Sequence, residues 1–253
     1  MAITISVALQ KGGVGKTTTA LALASTLGFK KKKTLLIDMD SQHNATYASG
    51  VDILDDTRTV TDVLGADCTA EEAAISCKYY DLLAGDQYLR NVEAADVSPD
   101  LLRKALEPVQ SKYDFIIIDT PPAFGNLSTM SLTASNYVLI PAEASIFSLQ
   151  GVPLLMQTID AVKERSNPNL QILGILLVRY SNRTNLNKDV KEMLEEYSSK
   201  NGITIFENTI REAVAVKEAQ ITRIPLIDYA KNSKPNIDYK AVTTEILRKL
   251  GEL

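Results

Sequence analysis

Ile3-Thr-Ile-Ser-Val-Ala-Leu-Gln-Lys-Gly-Gly-Val-Gly-Lys-Thr17 is the stretch that decides the fold. Its first part, Ile3–Leu9, is rich in branched residues and lacks Gly and Pro, which predicts a β-strand. A glycine-rich turn, Lys11–Thr17, follows at once. The segment Thr18–Leu27 then reads as a helix. Strand, glycine turn, Lys-Thr and helix form the context that a phosphate-binding loop requires. Glycines let backbone N–H groups turn inward toward phosphate oxygens without a Cβ in the way, so Gly12, Gly13, Val14, Gly15 and Thr18 are candidate contacts along the loop. The helix N-terminus adds partial positive charge. Lys16 is predicted to meet the β- and γ-phosphates, and the hydroxyl of Thr17 to serve as a hard-oxygen ligand for Mg²⁺.

Working outward, strand-like and helix-like segments alternate. Strands are predicted at Thr34–Met39, Asp81–Ala84, Phe115–Asp119, Tyr137–Pro141, Ile172–Val178, Ile203–Phe206 and Ile224–Ile227. Helices are predicted over Pro99–Gln110, Gly151–Arg165, Lys188–Lys200 and Asp238–Leu250. Apolar strands alternating with helices predict an α/β fold: a mostly parallel twisted sheet covered by helices on both faces. Ligands of such sheets sit at the carboxyl ends of strands. At 253 residues the chain suits one domain, 1–253, and no linker or repeat divides it.

Composition narrows the chemistry. Hydrophobic residues make up 45% and charged residues 23%, as in ordinary globular proteins. No apolar run approaches a membrane span. The chain opens on a strand, which argues against a signal peptide and for the cytoplasm. Cys68 and Cys77 lack C-x-x-C spacing and a nearby histidine, so they read as reduced thiols. His43 is the only histidine, which argues against histidine-based hydrolases. The net charge of −4 gives no global attraction to nucleic acid, so any DNA binding must come from a local patch.

Two further segments carry chemistry. Thr34-Leu-Leu-Ile-Asp-Met-Asp-Ser-Gln42 ends a strand in Asp38 and Asp40, spaced to fall on one side. Tyr113-Asp-Phe-Ile-Ile-Ile-Asp-Thr-Pro-Pro-Ala123 delivers Asp119 at a strand's carboxyl end, as a Walker B segment does, where it would hold Mg²⁺. An attacking water in phosphoryl transfer needs an acceptor next to the γ-phosphate.

The loop departs from G-x-x-x-x-G-K-[ST]: Gln10 stands where the first Gly is usual, and a second lysine, Lys11, precedes the glycines. This form resembles the deviant Walker A motif of the ParA/MinD ATPases. The resemblance implies ATP and Mg²⁺ as ligands, a dimer when ATP is bound, and a Lys11 that reaches the partner's nucleotide. It also implies that Asp40 positions or activates the water, with Ser41 where the family usually has Pro, that Asp38 supports the Mg²⁺ shell, and that Thr120-Pro-Pro122 is the γ-phosphate-sensing switch II. The segment Tyr137–Gly151 resembles a family strand-to-helix motif that usually carries acidic residues, with Ser145 and Gln150 at those positions. Gly174–Asn185 resembles the family's "R-T" loop beside the adenine, with Arg179 as the candidate contact, and Arg223–Asp228 resembles the loop that packs Pro225 on the base. Ile210–Ala219 resembles a stretch that binds DNA in Soj-like members; Ala215 replaces their arginine, leaving Arg211 and Lys217 as candidates.

The resemblance covers nearly the whole chain and lacks the N-terminal helix-turn-helix extension of some plasmid ParA proteins. It implies an ATPase switch that binds DNA without sequence preference and partitions plasmid or chromosomal DNA with a ParB-type centromere-binding partner, in the cytoplasm on the nucleoid. The alternative is a MinD-like switch at the membrane surface. That alternative needs an amphipathic tail, and Lys240–Leu253 reads as a packing helix without bulky aromatics or a strong basic face. Residues 207–253 hold eight Lys/Arg against seven Asp/Glu.

Overall fold

The structure is a computed structural model that describes residues 1–181 and 185–253. Seven strands form one sheet: β1 (Ile3–Val7), β2 (Thr34–Asp38), β3 (Ala74–Ser76), β4 (Asp81–Leu83), β5 (Phe115–Asp119), β6 (Tyr137–Glu143) and β7 (Gln171–Val178), in the spatial order β3-β4-β2-β5-β1-β6-β7. All neighbours pair in parallel except β3 with β4. β2 and β5 are buried at every position. That is why they read as unbroken apolar runs: helices cover both faces, so neither face needs polar residues. Burying each of Ile116, Ile117 and Ile118 fully contributes roughly 1.5–3 kcal/mol.

The helices are α1 (Lys16–Phe29), α2 (Asn44–Ala48), α3 (Val60–Leu64), α4 (Ala70–Ala73), α5 (Leu89–Ala94), α6 (Leu101–Leu106), α7 (Asn126–Thr133), α8 (Ile146–Arg165), α9 (Asn185–Lys200), α10 (Val214–Ile221), α11 (Leu226–Tyr229) and α12 (Lys234–Lys249). On one sheet face Leu23 and Leu27 of α1 and Val242 and Ile246 of α12 pack with Ile5, Leu36 and Ile117. On the other, Leu102, Leu106, Leu127 and Met130 pack with Leu35, Ile37, Ile116 and Ile118. A third cluster joins β6 and β7 to α8 and α9 through Val152, Leu155, Val190 and Leu194.

Several boundaries differ from expectation. The helix expected from Gly151 begins at Ile146, and Pro153 lies inside it. The Gly151/Pro153 pair reads as a start signal, yet Ser145 already stands in the extended conformation that precedes a helix. The helix expected over Pro99–Gln110 is α6 followed by a 3-10 turn, Glu107–Val109, where Pro108 interrupts it. Ile203–Phe206 is not a strand of the sheet. It runs along the β7 edge in isolated contacts, with Phe206 N–H donating to Ile175 O at 2.9 Å and Ile175 N–H to Thr204 O at 2.8 Å. Ile224–Ile227 is no strand at all: Pro225 precedes α11, and its carbonyl accepts from the Asp228 and Tyr229 amides. Four apolar residues cannot distinguish a strand from a helical turn.

Candidate functional site

The parallel strands β2, β5 and β1 deliver their carboxyl ends to one rim, and β5 pairs with both neighbours, so Asp38 and Asp119 stand in register. β1 runs through Ala8 and Leu9 into the glycine turn. Gly13 and Gly15 have φ of 76° and 77°, a conformation L side chains avoid, so both positions demand glycine. α1 then starts at Lys16 with no side-chain cap, and its first-turn N–H groups remain available to a ligand. A cleft of about 600 Å³ opens above this helix start. Gly12, Gly13, Gly15, Lys16, Thr17, Thr18, Asp40 and Arg179 line it, so most of the expected residues converge. Val14 contributes backbone only, because its side chain is buried in the core beneath the loop.

Lys16 lies back on its own loop, its Nζ donating to Lys11 O at 2.8 Å. Burial pushes this ammonium down from its ordinary value, while Asp119 and Asp40 pull it up. Among the described residues neither carboxylate oxygen of Asp119 has a hydrogen-bond partner, although the residue is fully buried. Burial first, and then the Asp38 charge, push its carboxyl well above the usual range; the neighbouring Thr17 hydroxyl and Lys16 oppose them. An orphaned buried carboxylate beside a Thr hydroxyl fits a hydrated Mg²⁺, which takes few protein oxygens and completes its shell from phosphate and water. Among the described residues no three His, Cys, Asp or Glu side chains form a self-sufficient metal cage.

Asp38 has a different role from Asp119. It accepts from the Thr46 amide and hydroxyl, each at 2.8 Å, and from the Asp40 amide at 3.2 Å. Burial pushes its carboxyl up to about 6 against these bonds. It pins α2 to the end of β2 and thereby aims Asp40, which is 8% exposed, into the cleft. Asp40 Oδ1 accepts from the Gln42 amide at 3.0 Å.

Lys11 sits at the cleft mouth, half-buried, 3.2 Å from Glu143 Oε2 and 3.2 Å from Ser145 Oγ. Glu143 also holds Arg179 at 2.7 Å. Of the segment in which the family usually carries acids, Ser145 touches Lys11, and the acidic residue beside Lys11 is Glu143, at the end of β6. Gln150 is exposed on α8.

The other expected contacts are more dispersed. Pro225 lines a small neighbouring cavity with Thr18, Gln220 and Tyr80, and does not line the main cleft. Arg211 is bound to Asp238 through Nε at 2.9 Å and through NH2. Lys217 stands on the cleft lip beside Ile221. Arg183 and Thr184 of the expected "R-T" loop lie outside the described residues. Pro122 of the expected switch II lines the cleft, and so do Gln42, Asn44, Tyr47 and Gln220, which were not singled out from sequence. Gln220 comes from α10, more than 200 positions after Thr18, to which it donates at 3.0 Å. No local pattern announces such a contact.

Fold and cleft together define a P-loop nucleotide-binding protein with a second lysine at the loop mouth. Residues 2–172 match the AAA domain family. The chromosome partitioning protein ParA of Myxococcus xanthus is 36% identical over 251 residues, covering 97% of this chain and 88% of the relative. The sporulation initiation inhibitor protein Soj of Bacillus subtilis is 34% identical, covering 96% and 97%. Cobyrinic acid a,c-diamide synthase from Mycobacterium smegmatis, solved with bound ADP and magnesium, superposes with a TM-score of 0.85 at 28% identity, over 99% of this chain and 96% of that one. The chain belongs to the ParA/Soj-type branch of the ParA/MinD deviant Walker A family. Among the described residues no helix is long and apolar enough to cross a membrane.

Proposed function

We propose that the protein is an ATP-dependent dimerising switch that binds DNA without sequence preference. On this reading it hydrolyses ATP to partition plasmid or chromosomal DNA with a ParB-type partner, in the cytoplasm on the nucleoid. The observation that carries the reading is the pairing of Lys11 with Gly12. Gly12 has no left-handed φ, and a Cβ built on it meets nothing within 4 Å of its own chain. Among the described residues nothing inside one protomer calls for glycine there. A second copy facing the loop would, and Lys11 at the same mouth would then lie against that copy's nucleotide, as an arginine finger does.

Within one site the division of labour is as follows. Loop amides, the start of α1 and Lys16 hold the β- and γ-phosphates. Thr17 and Asp119, supported by Asp38, hold Mg²⁺, which when bound supplies charge neutralisation to the phosphates. Asp40 accepts a hydrogen bond from the attacking water and orients it. The new bond forms from water oxygen to the γ-phosphorus as the water's proton passes to Asp40, the bond to the β–γ bridging oxygen breaks, and ADP leaves with that electron pair. Arg179 and Pro225 flank the base end. Arg211 and Lys217 are secondary contributors to DNA binding.

The Lys11–Glu143 contact gives the free monomer a resting place for the signature lysine. Dimerisation must exchange that contact for one across the interface. Titration of fluorescent ATP with the wild type, with phosphate release and light scattering in parallel, tests the reading. Saturable binding, slow turnover and an ATP-dependent doubling of mass are expected; a protein that binds ATP and stays monomeric contradicts it.

A further inference from the structure

The charge count of the C-terminal region is balanced, but its charges are sorted in space. α12 carries two carboxylates, Asp238 and Glu245, 8% and 7% exposed. Both face inward and are consumed by the segment along the β7 edge. Glu245 accepts from the Glu207 and Asn208 amides and from Asn208 Nδ2. Asp238 accepts from the Arg211 amide and guanidinium. The two lie seven residues apart, on one side of the helix. The cations Lys240 and Arg248 lie on the outer side and Lys234 is exposed at the helix start, whereas Lys249, four residues after Glu245, shares the side of the acids and stands 5.4 Å from the centre of the Phe206 ring. The apolar side of α12 is also consumed: Val242, Ile246 and Leu247 are buried against α1 and the sheet.

The end of α1 extends this face. Lys32 reaches Glu252 at 2.9 Å, and the Lys240 ammonium stands 5.2 Å from the centre of the Phe29 ring. Phe29 is 52% exposed. Lys30 and Lys31 follow it on the exposed turn. Among the described residues none of Lys30, Lys31, Lys234, Lys240, Arg248 and Lys249 pairs with a carboxylate, whereas Lys32, Lys78 and Arg211 do. A chain of net charge −4 thus presents a face of unpaired cations with an exposed aromatic among them. The linear pattern of the tail shows no such basic face, because its acids are counted although they are buried.

We propose that this face, the outer side of α12 with the end of α1, is where the phosphate backbone of duplex DNA docks. The inference rests on the DNA-binding reading above and assigns it a surface. A helix of 16 residues is about 24 Å long, which matches about seven base pairs of duplex. Point cations on a rigid helix suit phosphates, which carry affinity without sequence information. A membrane surface fits less well. The exposed large apolar side chains of this face are Phe29 and Ile237, and two isolated side chains do not make the continuous apolar band that seats a helix in lipid.

The test is a variant carrying Lys30→Gln, Lys234→Gln, Lys240→Gln and Arg248→Gln, compared with wild type and with Arg211→Gln/Lys217→Gln. Anisotropy of a random-sequence duplex is measured with ATP across a salt series. Light scattering follows ATP-driven dimerisation, and co-sedimentation follows binding to phosphatidylglycerol vesicles. In the fourfold variant DNA affinity falls about tenfold or more, and the salt slope shrinks by about 0.9 for each lost phosphate contact. Dimerisation stays at the wild-type level. A folded, dimerising fourfold variant with wild-type DNA affinity and slope overturns the proposal. So does a loss confined to the Arg211/Lys217 pair, or a loss of vesicle binding with DNA binding intact. If ATP-bound wild type itself ignores DNA, the DNA-switch reading fails, a result distinct from a misplaced surface.

Discussion

At the carboxyl ends of β1, β2 and β5, Lys16, Asp40 and Asp38 are held by residues close in the chain. Lys16 bonds to Lys11, Asp40 to Gln42, and Asp38 to Thr46. In residues 201–253 position is set from far away. Gln220 reaches Thr18, Arg223 reaches Tyr47, Asp228 is gripped by Lys78 and Tyr79, and Tyr239 meets Thr19. The difference teaches where chemistry can be exact and where it can drift. Phosphate chemistry is written on contiguous turns between buried strands, while the base end and the outer surface are assembled from segments that share no local signal.

The most severe way to break this comparison is to remove one carboxylate from the contiguous half. Asp40→Ala should bind ATP yet turn over about 10²–10⁴-fold more slowly, the usual span for losing a proton-accepting group. It should accumulate as an ATP-bound dimer. Phosphate release paired with fluorescent-ATP titration checks this; normal turnover contradicts the role given to Asp40.

Next in size is packing. Ile117→Ala in β5, fully buried, should cost about 2–5 kcal/mol in urea unfolding. Ile224→Ala, in the segment that turned out not to be a strand and 43% exposed, should stay within about 0.5 kcal/mol. Equal costs would erase the contrast between the two halves.

Lys16→Ala should weaken ATP binding by about 1.5–3 kcal/mol, the net worth of a hydrogen bond to a charged group, or about 10–100-fold. Unchanged affinity would remove the loop from the nucleotide site.

The smallest effect concerns the orphaned carboxylate. Asp38 binds its proton at about 6 in the folded chain against 3.8 ordinarily, and Asp119 is raised as well. Between those pH values the folded state holds more protons than the unfolded one. Its stability therefore falls as pH rises through the window and stays low above it. Asp119→Asn removes one buried charge, so the nucleotide-free variant should melt a few degrees higher than wild type at pH 7, with the gap narrowing toward pH 4. A lower melting temperature at pH 7 would show that the charge is already compensated.

How much was legible follows the same division. The parallel sheet was readable because β2 and β5 are buried on both faces and leave unbroken apolar runs. The placement of Lys16, Thr17, Asp40 and Asp119 at the rim was readable because Asp119 ends β5, Asp40 stands two residues after β2, and Lys16 and Thr17 close the glycine turn that follows β1. The short β3 and the helices α2 to α5 carry too few residues for a period to emerge. Glu143 was not singled out, since only the position of β6 shows which side chain reaches Lys11. Charge sorting on α12 was hidden for a related reason: Asp238 and Glu245 look solvated in the chain and are buried in the fold.

The central claim is that Lys11 completes a site on another copy of the chain. Lys11→Ala retains its own Asp40, and Asp40→Ala retains its own Lys11. A mixed dimer then contains one site with Asp40 from its own chain and Lys11 from the neighbour. Phosphate release from an equimolar mixture of the two variants, with mixed dimers verified by energy transfer between labelled chains, is the most direct measurement. The account predicts that the mixture recovers part of the wild-type turnover that each variant lacks alone; a mixture that forms mixed dimers and remains as inactive as its components contradicts it.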